Sequence, residues 1–147
     1  MKLVDKFIIR DFSKPGKSNV ISSNFMIASS HNVASSVGFD ILKNGGNAVD
    51  AALAMSAVLC VAEPQMTGIG GDCFAMISID GSANIKALNA SGKSSENSSS
   101  SHLRKKGIKL IKSGMPDSIT IPGAVAGWSV LHKNMAICLG LKYSSLQ

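Results

Sequence analysis

The stretch KNGGNAVDAALAMSAVLCVAEP, Lys43 to Pro64, decides the fold. Asn44-Gly45-Gly46 ends one helix, because glycine tolerates the left-handed conformation that a C-cap needs. Asn47 then caps a second helix. Asp50 lies three residues further on, where a carboxylate favours the positive end of the helix dipole. From Ala48 to about Ala62 this second helix is apolar almost all round, so it needs cover on most sides. Ala48, Ala51, Ala52, Ala54 and Ala57 permit close backbone approach to a sheet or helix. Glu63-Pro64 stops the helix, since the residue before proline avoids the helical region.

Upstream, Val33 to Lys43 has helical spacing, with Val33, Val37 and Ile41 on one face and Ala34, Gly38 and Leu42 beside it. Ser29, Ser30, His31 and Asn32 supply capping side chains before it, and His31 reads as structural. Phe25-Met26-Ile27-Ala28 reads as a short buried strand. Residues 1–24 are polar, basic and broken by Pro15-Gly16, a loose lead-in to the domain spanning residues 25–147.

Downstream, Thr67-Gly68-Ile69-Gly70-Gly71-Asp72 is a glycine-rich loop. Cys73 to Ile79 reads as a strand, Asp80-Gly81 as a hairpin turn and Asn84 to Asn89 as the return strand. Residues 90–101 are dense in serine. Ser98 to Lys106 is expected to form a short helix ending at Gly107, Ser118 to Ile121 a strand, and Gly123 to Met135 a helix with Trp128 in the core. A hairpin beside apolar helices predicts an α+β layer, not a parallel Rossmann sheet.

Composition narrows the function. At 147 residues the chain holds one domain at most, and 45% apolar content is enough for a core. The net charge of +6 gathers in two places: Lys2, Lys6, Arg10, Lys14 and Lys17, and then Arg104, Lys105, Lys106, Lys109 and Lys112. No aromatic residue is interleaved with the second cluster, so it reads as a solvated helix end and no nucleic-acid partner is expected. Cys60, Cys73 and Cys138 form neither a disulfide framework nor a metal pair, and Cys60 and Cys73 read as small buried hydrophobes. His31, His102 and His132 show no ligand spacing. The run Ala51 to Ala62 falls short of the roughly 20 residues that cross a bilayer, so no membrane partner is expected. Met1 to Arg10 lacks the apolar core of a secretion signal, and the expected location is cytoplasmic.

Four motifs in order resemble those of gamma-glutamyltranspeptidases. They are Lys43 to Ala52, Glu63-Pro64-Gln65-Met66-Thr67-Gly68-Ile69-Gly70-Gly71-Asp72, Leu88-Asn89-Ala90-Ser91-Gly92-Lys93, and Ile119-Thr120-Ile121-Pro122-Gly123-Ala124-Val125-Ala126-Gly127-Trp128. The resemblance implies the four-layer αββα sandwich of N-terminal-nucleophile hydrolases, of which this chain would be the incomplete front of the large subunit. It implies a precursor that cuts itself in two, so the partner is a downstream small-subunit segment. That segment's terminal threonine attacks a gamma-glutamyl amide such as glutathione, with its own amine as base. No metal or organic cofactor is implied. Thr67 and Thr120 lie inside large-subunit motifs, so no catalytic residue is assigned to this chain.

Well-studied members of the family carry an arginine after the second hairpin strand that clamps the substrate α-carboxylate. The segment Asn89 to Ser95 is closer to a subgroup with a Ser-Gly-Arg arrangement, and Lys93 stands in the arginine's place. Lysine offers a point charge without the bidentate fork. Lys93 is therefore the candidate carboxylate binder, weighed against an ordinary surface lysine. Asp50 reads as a helix cap and not a catalytic acid. The loop Gly68 to Gly71 leads into a strand, whereas a phosphate cradle opens a helix, so it reads as a tight turn that also lines the substrate pocket. Ser91, Ser94 and Ser95 lack a nucleophile-elbow context. Two alternatives stay open: a related small-acid amidohydrolase, and a non-catalytic protein that binds an anion or a partner.

Overall fold

The computed structural model describes residues 19–137. Most of the lead-in, with its five basic residues, and Cys138 lie outside the described residues. In chain order the elements are α1 (Asn32–Lys43), α2 (Ala48–Ala62), β1 (Cys73–Ser78), β2 (Ile85–Ala90), α3 (Ser100–Lys105) and α4 (Ala124–Met135), with single 3-10 turns at Glu96–Ser98 and Pro116–Ser118. The class is α+β, as expected. No helix among the described residues is long and apolar enough to cross a membrane.

Helices α1 and α2 form an antiparallel pair joined by the Asn44–Asn47 turn. His31 is the N-cap of α1, its Nδ1 accepting from the Val33 N–H at 3.2 Å. Gly45 sits at φ 90°, the left-handed conformation that the Asn-Gly-Gly signal requires. The buried stripe of α1 differs from the expected one. Ala34 and Gly38 are buried while Val33 is 52% exposed. The cause is close approach: a Cβ on Gly38 would meet Ile27 Cδ1 at 2.7 Å and Met55 Cγ at 2.8 Å. The smallest residues occupy the contact line because larger ones would push the helices apart.

The hairpin is antiparallel, with Cys73 paired to Ala90, Ala75 to Leu88 and Ile77 to Lys86. Asp80 at φ 54° and Gly81 at φ 66° both lie in the left-handed region, and the Ser82 N–H donates to the Ile79 carbonyl at 3.0 Å, as the hairpin reading required. Helix α4 packs across the sheet. A Cβ on Gly127 would meet those of Ala90 and Cys73 at 2.8 Å, so only glycine lets the helix lie this close. The buried apolar residues among those described are Ala34, Ala51, Leu103 and Ala124. Large side chains stay open instead, among them Val61, Met66, Phe74 and Met76. Helix α2, expected to be covered on most sides, is thus covered by the described chain on only part of its circumference.

Two expected strands are absent. Phe25 to Ala28 joins no ladder; Phe25 packs instead on Phe39 of α1, with ring centroids 5.3 Å apart. Ser118 to Ile121 closes a 3-10 turn and then runs on irregularly. Its β-branched residues suit extended backbone, but a strand also needs a neighbour to pair with, and Pro122 removes the next backbone donor.

Candidate functional site

Three of the sequence motifs meet at one point, the carboxylate of Asp72. Oδ1 accepts from the Gly92 N–H at 3.1 Å and from Thr120 Oγ1 at 3.1 Å, and Oδ2 accepts from Ser91 Oγ at 3.3 Å. Beside it, the Gly71 carbonyl accepts from the N–H groups of Gly123 and Ala124, at 3.0 and 2.9 Å, which are the free donors at the start of α4. The Ile121 N–H donates to the Lys93 carbonyl at 3.0 Å. The glycine loop, the turn after β2 and the approach to α4 are therefore tied together by backbone and hydroxyl donors.

The junction leaves no room for side chains at its centre. A Cβ on Gly92 would run into the Ile121 carbonyl, and one on Gly123 into the Ala90 carbonyl. These two glycines serve close backbone contact, and Gly92 needs no special dihedral to do so. The donors around Asp72, led by the Gly92 N–H, hold its carboxyl below its ordinary value of 3.8, against a partial desolvation that works the other way. Asp72 is thus ionised at neutral pH. Next in the chain, burial pushes the Cys73 thiol up, which leaves it protonated and unreactive near pH 7.

Lys93 follows directly on this junction. Its backbone is fixed through its own carbonyl and through the preceding Gly92 N–H, while its side chain is exposed. Its ammonium has no ion-pair or hydrogen-bond partner among the described residues. The Asp72 carboxylate bonds Ser91, Gly92 and Thr120 and not the lysine, whose charge is left open. The glycine loop that ends at Asp72 borders a shallow recess of about 350 Å³ lined by Thr67, Gly70 and Asp72 among others. The loop closes a turn from the Gly68 carbonyl to the Gly71 N–H at 3.2 Å, in line with the tight-turn reading.

The remaining candidates sort cleanly. Asp50 caps α2 as read: Asn47 Oδ1 accepts from the Val49 and Asp50 N–H groups, and Asp50 Oδ2 accepts from the Asn47 N–H at 3.0 Å. Asp50 also accepts from the Ile137 N–H at 3.1 Å, and Asn47 Nδ2 donates to the Met135 carbonyl at 2.6 Å, a second fixation that the sequence did not signal. Cys60 and Cys73 are half-buried. Sequence reasoning missed Asp72, Ser91 and Thr120 as a unit. The available signal was an acidic residue closing a glycine loop in a chain with two hydroxyl-rich motifs downstream.

The profile of the gamma-glutamyltranspeptidase family matches residues 34–142. The chain is 39% identical over 115 residues to the glutathione hydrolase-like YwrD proenzyme of Bacillus subtilis, a match covering 78% of this chain and 22% of that one. Among solved structures it superposes on cephalosporin acylase from Bacillus halodurans with a TM-score of 0.72 and 36% identity, covering 86% of this chain and 24% of the other. It also superposes on gamma-glutamyltranspeptidase from Pseudomonas nitroreducens, solved with L-DON, with a TM-score of 0.68 and 25% identity, covering 80% and 35%. The helices and hairpin described above are a portion of the αββα sandwich of N-terminal-nucleophile hydrolases. The chain spans about a fifth of the length of its Bacillus subtilis relative. With the profile covering most of its residues and the motifs converging in space, the chain belongs to the gamma-glutamyltranspeptidase family.

Proposed function

We propose that this chain forms the front of the large subunit of a gamma-glutamyl transferase or hydrolase, and that Lys93 grips the substrate α-carboxylate. The observation that carries the reading is Lys93 itself: an uncommitted ammonium on a fixed backbone, standing where the motif resemblance puts the family's carboxylate-binding arginine. Glutathione and similar gamma-glutamyl amides offer such a carboxylate. The nucleophile is a threonine of a separate small-subunit segment, and no residue of this chain takes part in bond cleavage. That segment and the rest of the large subunit also account for the open apolar faces, since Phe74 and Met76 on β1 and Val61 on α2 are suited to being covered by further chain.

The test is a fusion of this chain with the downstream remainder of the Bacillus subtilis relative, called the completed enzyme below. It is expected to cleave itself and to hydrolyse gamma-glutamyl-p-nitroanilide, whereas the 147-residue chain alone leaves the anilide intact. Lys93→Ala is expected to raise KM about tenfold or more, the loss of one charge-assisted hydrogen bond, and Lys93→Arg to retain or lower KM. A self-cleaved fusion that ignores the anilide, or an unchanged KM in the alanine variant, contradicts the reading.

A further inference from the structure

We infer that Asp72 is a positioning residue for the carboxylate grip, holding the Ser91-Gly92-Lys93 turn against the Thr120-Ile121 segment so that the lysine is presented at a fixed place. The inference rests on the reading of Lys93 given above and adds a residue to it.

The geometry runs as a closed loop of contacts. Asp72 Oδ1 takes the Gly92 N–H on one side and Thr120 Oγ1 on the other, so a single oxygen bridges two segments 28 residues apart (120 − 92). One residue further along each segment, the Ile121 N–H donates to the Lys93 carbonyl. Lys93 is therefore held at the residue before it, through Asp72, and at its own carbonyl, through Ile121, and the Asp72 oxygen links the first tie to the Thr120-Ile121 segment as well. Gly92 is pressed so closely on Ile121 that a side chain there is excluded. A fixed backbone sets the point from which the lysine reaches, so only its side-chain rotamers remain to be ordered on binding.

The carboxylate works here as an acceptor of hydrogen bonds. Its partners are Ser91 Oγ, the Gly92 N–H and Thr120 Oγ1, and it makes no ion pair with the Lys93 ammonium. An asparagine can reproduce this arrangement. Its Oδ1 takes the Gly92 and Thr120 donors, and its Nδ2 faces Ser91 Oγ, a hydroxyl that can accept as readily as it donates. An alanine cannot. This separates a positioning role from one in which the negative charge itself takes part in the chemistry.

The experiment uses the completed enzyme with Asp72→Ala, Asp72→Asn, Thr120→Val and Lys93→Ala, read by steady-state kinetics on gamma-glutamyl-p-nitroanilide. Hydrogen exchange of the peptide spanning residues 88–95, followed by mass spectrometry, reads the turn directly in proteins with or without turnover. Asp72→Ala is expected to raise KM roughly threefold to thirtyfold, with kcat changed far less, and to speed exchange in that peptide. Asp72→Asn is expected to restore both, and Thr120→Val to show a smaller version of the alanine effect. Should the alanine variant fail to mature, the asparagine and valine variants carry the test. An alanine or valine variant with wild-type KM and wild-type exchange overturns the inference, as does an asparagine variant that loses kcat with its turn still protected. If Lys93→Ala raises KM while Asp72→Ala does not, the inference alone fails. If Lys93→Ala leaves KM unchanged, the carboxylate reading fails and the inference falls with it.

Discussion

The two ends of α4 are each tied to the rest of the molecule by an aspartate region, and the two regions are built differently. At the C-terminal end, Asp50 is 7% exposed and Asn47 sits beside it; together they cap α2 and take the Ile137 N–H and hold the Met135 carbonyl. At the N-terminal end, Asp72 is exposed, and its partners Ser91, Gly92 and Thr120 come from two other segments. Asp50 serves a buried helix start, where leaving donors unpaired is expensive. Asp72 serves an exposed turn, where water can replace a lost partner. The same carboxylate chemistry therefore supports stability at one end and placement at the other.

The sharpest way to test that contrast is to remove each carboxylate and compare stability. Asp50→Ala removes the reciprocal half of the α2 capping box and leaves the Asn47 and Ile137 N–H groups without their side-chain acceptor, and is expected to destabilise the completed enzyme by about 2–4 kcal/mol. Asp72→Ala is expected to move the denaturation midpoint far less while shifting KM. Chemical denaturation of both variants checks this, and equal losses of stability would erase the distinction.

A smaller effect is expected from Gly92→Ala. The added methyl meets the Ile121 carbonyl, which cannot swing aside as a side-chain tip could. Overpacking of this kind is worth about 1–3 kcal/mol, and here it also forces the Lys93 turn away from Thr120-Ile121. The variant is expected to lose some stability and to show raised KM together. Normal KM in Gly92→Ala would mean that the turn's position does not matter to substrate binding.

The smallest effect concerns pH. Because Asp72 titrates below 3.8 in the folded protein, its contribution is present above the ordinary carboxylate range and is lost only as pH falls through that lowered value. Exchange protection of the 88–95 peptide is therefore expected to stay flat between about pH 5 and pH 8. A step in protection within that window would assign the junction to another group.

The same contrast explains what could be read from the chain. The Asp50 cap was legible because its main partners lie within three residues, in a pattern that capping chemistry fixes. The ends of α2 and the Asp80-Gly81 turn were legible for the same reason, as each depends on adjacent residues with special backbone freedom or capping groups. The Asp72 junction was not, because its partners lie 19, 20 and 48 residues away and any exposed aspartate could have served. Phe25 to Ala28 and Ser118 to Ile121 were misread as strands because propensity describes one segment and pairing needs two. Lys93 was found through the family motif, and nothing in its local sequence pointed to the junction that holds its backbone.

The central claim, that the converging motifs present Lys93 to a substrate carboxylate, is tested most directly by a crystal structure of the completed enzyme with L-glutamate bound. The account predicts Lys93 Nζ about 2.8 Å from an α-carboxylate oxygen, with Asp72 still bridging Gly92 and Thr120. A glutamate whose carboxylate is held by other residues, with the Lys93 side chain turned into solvent, would contradict it.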